Sequence, residues 1–80
     1  MIAPGQLCSV KHPLNETVTV YPRLDIGIGM EVTSMMNGSL FTIVSVPHRN
    51  RSDNHHYAYG IILSNGRLGF VDCRYLIEVR

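Results

Sequence analysis

The sequence predicts an all-β protein, and three observations carry that reading. No stretch of the 80 residues keeps a 3.6-residue apolar period, so no amphipathic helix is expected. Val, Ile, Thr and Tyr gather instead in short windows bounded by Gly, Pro, Asn or Asp, which is how strands and turns alternate. Two boundaries are Asn-Gly dipeptides, Asn37-Gly38 and Asn65-Gly66, each set between apolar runs. Asn-Gly is a strong hairpin signal, because a type I′ turn needs positive φ at both central residues.

Five to seven short antiparallel strands follow, near residues 6–11, 17–21, 30–36, 39–46, 57–63, 67–71 and 76–79. Leu7 to Val10 lies between Pro4-Gly5 and His12-Pro13. Thr17-Val18-Thr19-Val20-Tyr21 is β-branched and stops at Pro22. Gly27-Ile28-Gly29 reads as a loop; it lacks the third glycine and the following helix of a phosphate-binding loop. The runs 30–36 and 39–46 are expected to pair across Asn37-Gly38. Met35 and Met36 are neighbours there, so one of them must point outward. A second hairpin is expected to pair 57–63 with 67–71 across Ser64-Asn65-Gly66. Gly60 and Gly69 interrupt strand patterns and mark bends or close backbone approaches. Asp72-Cys73-Arg74 is a polar turn before the closing strand.

Between the hairpins, Pro47 to His56 holds no apolar residue beyond the proline. An exposed loop of ten residues is expected there, either functional or a solvated extension. It carries Arg49, Arg51, His48, His55 and His56. Adjacent His55 and His56 point to opposite sides of an extended chain, so a shared ion with Asp53 is not expected, and no cofactor is. The loop's cationic character suits an acidic protein surface.

Composition narrows the function. Net charge is +1 and charged residues are 16% of the chain. That counts against a nucleic-acid footprint, which needs clustered basic residues. The low charge leaves room for an uncharged face covered by a partner, and is compatible with an oligomer. Cys8 and Cys73 are too few for a disulfide scaffold. With no secretory signal or bilayer-length apolar run in the sequence, reduced thiols and a cytoplasmic location are expected, with no membrane contact. Asn15, Asn37 and Asn50 begin Asn-x-Ser/Thr triplets and read as turn residues. Paired carboxylates are absent, and a Cys-His pair exists only on paper, so the chain reads as a non-enzyme.

Gly66-Arg67-Leu68-Gly69-Phe70-Val71-Asp72-Cys73-Arg74-Tyr75-Leu76 resembles SH3 domains, most closely the bacterial SH3-like (SH3b) group. Those end in a Gly–aromatic–Val strand, a short polar 3₁₀ turn and a Tyr-Leu pair. Gly29-Met30-Glu31-Val32 is similar to the family's Gly-Asp-x-Val lead into its central hairpin, and Cys8-Ser9-Val10-Lys11 stands where the first strand runs. The resemblance is strongest over 57–80 and extends to 29–46. It implies one SH3-like barrel over residues 1–80, with one 3₁₀ turn before the last strand. It also implies a groove in which Tyr57 lies near the family's Trp position and Tyr75 matches its groove tyrosine. The chain departs in having no Trp, and Asp25 stands nearly alone where eukaryotic members cluster acids. Both departures count against Pro-rich ligands.

The expectation is a non-enzymatic protein–protein interaction module, such as a small phage or bacterial accessory protein that binds and modulates a host protein. Tyr57, Tyr59 and Tyr75 are the expected aromatic anchors, with His55 beside them and Arg49 and Arg51 as charge guides; Tyr and Arg are enriched at interface hot spots. The alternatives are a nucleic-acid-binding barrel of KOW or Sm-like type and a peptidoglycan-binding SH3b module.

Overall fold

Alternation along each strand decides which side chains meet. The computed structural model describes residues 2–25 and 30–79, so the Gly27-Ile28-Gly29 loop lies outside the described residues. Cys8 and Val10 point inward from β1 (Leu7–Val10), and Val18 and Val20 from β2 (Thr17–Val20). Met35 does so from β3 (Thr33–Met36), and Phe41 and Ile43 from β4 (Leu40–Arg49). Ala58 and Ile62 of β5 (His56–Ile62), Val71 of β6 (Leu68–Asp72) and Leu76 of β7 (Leu76–Glu78) complete a single core. A 3₁₀ turn, Cys73–Tyr75, separates β6 from β7; the Asp72 carboxylate caps it by accepting from the Arg74 backbone N–H at 3.0 Å.

The fold is all-β with antiparallel pairing throughout. One sheet has the order β6-β5-β4-β1-β7, and a second sheet is the pair β2-β3. The first and last strands are neighbours, with Cys8 opposite Glu78. The sheets meet at a bridge in which Tyr21 and Phe70 exchange backbone hydrogen bonds of 2.9 and 2.8 Å.

Two glycines make room for this packing. Gly60 and Gly69 are paired across β5 and β6. A Cβ on Gly69 would lie 2.4 Å from Val20 Cγ1, so the glycine lets β2 cross β6. A Cβ on Gly60 would lie 2.2 Å from the Thr42 carbonyl oxygen and 2.6 Å from the Phe41 ring.

Three expectations need correction. The Asn37-Gly38 turn does not close a hairpin: β3 pairs with β2, while β4 pairs with β1 and β5. Positive φ is confined to Gly38, and Ser39 N–H donates to Met36 C=O at 3.0 Å. That is the pattern of a type II turn, which splays its flanking strands. The strand expected over 30–36 begins only at Thr33. The expected ten-residue loop is shorter than expected: β4 runs through a cis Val46–Pro47 peptide and two register shifts to Arg49, and β5 resumes at His56. Only Asn50 to His55 turn. Pro47 is tolerated because the ladder is already irregular between Ser45 and His48.

Other readings hold. Met35 is buried and Met36 is exposed. Ser64-Asn65-Gly66 does join a hairpin, β5–β6. Asn37 and Asn50 both serve turns: Asn50 Oδ1 accepts from Ser52 N–H at 2.8 Å, and Asn37 bridges to the 12–15 segment. Cys8 is buried and Cys73 is half-buried. Among the described residues no helix is long and apolar enough to cross a membrane.

Candidate functional site

A depression of about 330 Å³ opens where β2, the Asn50–His55 turn, the start of β5 and the 3₁₀ turn converge. Each wall has a local cause. Asn54 adopts positive φ and its N–H donates to Asn50 C=O at 2.8 Å; Asn tolerates this region better than most residues. The Arg49 guanidinium clamps Asn54 Oδ1. The turn so closed places Asp53 over the start of β5, where Oδ1 accepts from His55 N–H at 2.9 Å and Oδ2 accepts from the Tyr57 hydroxyl at 2.7 Å. Opposite Tyr57 in the ladder stands Asp72, which is buried.

Arg74 closes the far side. Its Nε and Nη2 donate to the Asp72 carboxylate at 3.2 and 2.8 Å, and Nη2 also donates to His55 Nδ1 at 3.2 Å. That same imidazole nitrogen lies 3.5 Å from Asp72 and 3.7 Å from Asp53. The Arg74 guanidinium also stands 5.3 Å from the centre of the Tyr75 ring. Tyr75 packs on His12 with centroids 4.6 Å apart. His12 is fixed in turn, because its Nδ1 accepts from the N–H groups of Leu14 and Asn15, both at 3.0 Å. Tyr21 meets Tyr57 edge-on at 5.9 Å, and Thr17 and Thr19 line the β2 wall.

The electrostatics follow from these contacts. The His55 N–H and then the Tyr57 hydroxyl hold the Asp53 carboxyl below its ordinary range. Burial, followed by the hydrogen bond to Asp53, pushes the Tyr57 phenol up. Asp72 pushes the Arg74 guanidinium up. Burial raises the Cys8 and Cys73 thiols, with Glu78 and Asp72 adding to it respectively, so neither is a ready nucleophile. With neutral imidazoles, the two carboxylates and one guanidinium give the groove one net negative charge. It offers hydroxyl and carboxylate acceptors, guanidinium donors and the half-buried Tyr75 ring.

The structure sorts the six expected contact residues. His55, Tyr57 and Tyr75 come together in the groove. Tyr57 is only 3% exposed, so it serves as floor and hydroxyl donor and not as a projecting anchor. Tyr59 lies outside the groove, stacked on Phe70 with centroids 4.8 Å apart and next to the His48–Phe70 pair. Arg49 is committed to Asn54, while Arg51 stands exposed in the turn. Sequence reasoning missed His12, Thr19, Tyr21, Asp72 and Arg74. Asp72 had a signal: Asp two residues before Arg, just ahead of Tyr75, fits a capped turn whose guanidinium folds back. His12 and Tyr21 had none, since tertiary packing alone brings them to the groove.

A larger cavity of about 820 Å³ lies between Tyr21–Arg23, Met30–Thr33 and Arg67–Leu68. It flanks residues outside the described set, and the linked charged network lies in the smaller depression. Comparison of the chain with protein-family models, curated proteins and solved structures finds no match.

Proposed function

We propose that the chain is a non-enzymatic protein-interaction module of SH3-like build, and that the polar groove receives a segment of its partner. The strand order supports the build: β1, a separate hairpin β2–β3, then β4, β5, β6, a 3₁₀ turn and β7 beside β1. One observation carries the groove: the linked set Tyr57–Asp53–His55–Arg74–Asp72, with Tyr75 and His12 stacked at its edge. Internal hydrogen bonds hold these side chains in place, which lowers the ordering cost of binding. In the groove both carboxylates are engaged, and the Cys8 and Cys73 thiols are pushed up, which supports binding over turnover. Asp53 and Asp72 repel phosphate, which favours a protein partner over nucleic acid.

The test is affinity capture from the source cells, with wild type, Thr19→Arg and Arg74→Ala as baits and quantitative mass spectrometry as the readout. Proteins retained by wild type and lost with both groove variants are expected. Identical capture by all three would refute the groove. Salt-sensitive oligonucleotide binding that vanishes in an Arg49→Ala/Arg51→Ala double variant would instead establish the nucleic-acid reading.

A further inference from the structure

The dipeptide that occurs twice, Asn37-Gly38 and Asn65-Gly66, has a chemistry of its own. Glycine has no Cβ to screen its nitrogen, so that nitrogen can attack the carbonyl of the preceding asparagine side chain. Both copies are exposed, and a Cβ on either glycine would meet nothing within 4 Å. Both glycine N–H groups donate at 2.8 Å, Gly38 to Val10 C=O and Gly66 to Ile62 C=O. Exposure and the glycine bond therefore do not separate the two sites. The asparagines do. Asn37 Oδ1 accepts from His12 N–H at 3.0 Å, Nδ2 donates to Asn15 C=O at 2.9 Å, and the backbone N–H donates to Glu16 C=O at 2.9 Å. Asn37 is thus fastened to a distant segment of the chain. Asn65 makes one side-chain bond, and it stays within its own turn: Oδ1 accepts from Arg67 N–H at 2.9 Å.

We propose that Asn65 is a site of spontaneous deamidation to aspartate and isoaspartate, and that the fold protects Asn37 in the same dipeptide. Gly66 N gives up its proton and forms a bond to Asn65 Cγ. The Cγ–Nδ2 bond breaks, and the side-chain nitrogen takes up a proton and leaves as ammonia. The product is a cyclic imide. Water then adds to one of its two carbonyls, and the C–N bond there breaks. Attack at Cγ gives aspartate; attack at the backbone carbonyl gives isoaspartate, with the chain running through the former side chain. Water is the sole co-reactant. Ring closure requires Cγ to turn toward the next backbone nitrogen. At Asn65 this releases bonds local to a hairpin tip, where opening is easiest. At Asn37 it breaks both amide bonds and lifts the turn off residues 12–16. Asn15, Asn50 and Asn54 precede Glu16, Arg51 and His55, whose side chains crowd the attack. The new carboxylate takes the formal net charge from +1 to 0, which removes repulsion that opposes self-association.

The test is incubation of the full chain at mildly alkaline pH, followed by tryptic digestion and mass spectrometry with fragmentation. Cleavage after Arg23, Arg49, Arg51 and Arg67 puts the two sites on separate peptides, 24–49 and 52–67. In the folded chain, conversion at Asn65 should run roughly tenfold faster than at Asn37, a factor of the size that one or two net hydrogen bonds supply. In urea the two rates should converge. Asn65→Gln, at an exposed position, should keep the circular dichroism spectrum and leave 52–67 unconverted, because glutamine closes a larger ring far more slowly. Equal rates in the folded chain, or faster conversion at Asn37, overturn the proposal. So does an Asn65 that survives folded for as long as the urea-treated chain takes to convert. A rate difference that persists in urea would trace to the following residues, Ser39 and Arg67, and would overturn protection by the fold.

Discussion

Asn37-Gly38 and Asn65-Gly66 share a dipeptide, a flanking pattern and a glycine with positive φ (91° and 72°), yet only the second closes a hairpin. The difference lies in where their hydrogen bonds go. At the second turn most bonds are local: Gly66 N–H to Ile62 C=O, Ile62 N–H to Arg67 C=O, and Arg67 N–H to Asn65 Oδ1, at 2.8, 2.8 and 2.9 Å, with Leu63 N–H to Leu40 C=O as the exception. At the first, all but Ser39 N–H to Met36 C=O leave the turn. Gly38 N–H donates to Val10 C=O and Asn37 N–H to Glu16 C=O, while the Asn37 side chain accepts from His12 N–H and donates to Asn15 C=O. The turn is tied to the segment between β1 and β2, and its strands part to different sheets. An Asn-Gly dipeptide marks a reversal of the chain; the partners of the flanking strands are settled by distant packing.

The glycines that enforce this parting should give the largest effects. Gly60 sits between β4 and β6 and keeps β4 on β5. Gly60→Val places a Cβ 2.2 Å from a backbone oxygen, which no rotamer change relieves. Its cost should reach or exceed the upper end of the about 1–3 kcal/mol typical of overpacking. Urea denaturation checks it, and an unchanged midpoint would show that the β4–β5 approach is looser than drawn.

Gly69→Val is the milder counterpart, because its nearest contact is the Val20 side chain at 2.4 Å. A loss of about 1–3 kcal/mol is expected. Val20→Ala in the same chain should recover part of it, since it removes the colliding Cγ1. A double-mutant cycle with no coupling would mean that β2 does not cross β6 at Gly69.

The two turns can be compared directly at about the next level of effect. Gly38→Ala and Gly66→Ala meet no atom within 4 Å, so both should lose a similar amount, about 1–2 kcal/mol, from the positive φ alone. The asparagines should differ. Asn37→Ala breaks two side-chain bonds to residues 22 and 25 positions away, whereas Asn65→Ala breaks one local bond. At about 0.5–1.5 kcal/mol net per bond, Asn37 should be the more costly by thermal denaturation. Equal losses would show that the long-range ties contribute nothing.

The same contrast explains what the sequence could and could not convey. The core was legible because period-2 alternation is local: Val18 and Val20, Phe41 and Ile43 sit where their patterns put them. So was the polar turn before the last strand, though not the Asp72–Arg74 contact that caps it. The β2–β3 pairing was not, because the residues joining those strands carry no turn signal that names Thr17 as the partner of Met36. The polarity of 47–56 hid a strand, because cross-strand pairs such as His48–Tyr57 and Arg49–His56 need no apolar residue on the β4 side. The groove was half legible. Tyr57 and Tyr75 came from the resemblance, whereas His12 and Tyr21 reach it only through tertiary packing.

The third turn, Asn50 to His55, is tied by a carboxylate, Asp53, where the other two are tied by asparagine amides and glycine, so its stability should respond to pH. Asp53 is held below its ordinary range in the folded chain. Its contribution is therefore present above the unfolded carboxyl pKa and is lost as pH falls through the folded value. Tyr57 is raised when folded; its contribution is present below the unfolded phenol value, near pH 10, and is lost as pH rises through the folded one. The Tyr57→Phe variant removes the hydroxyl donor and keeps the ring. The Asp53 midpoint, followed by carbonyl NMR, should move up yet stay below ordinary, because the His55 N–H is the larger cause. The alkaline loss belonging to Tyr57 should disappear at the same time. The effect on stability should be the smallest of the series, since Asp53 is about one-third exposed and solvent screens it. An Asp53 midpoint identical in both chains would mean that the 2.7 Å contact with Tyr57 does not persist in solution, leaving Asn54 and the backbone to hold the turn.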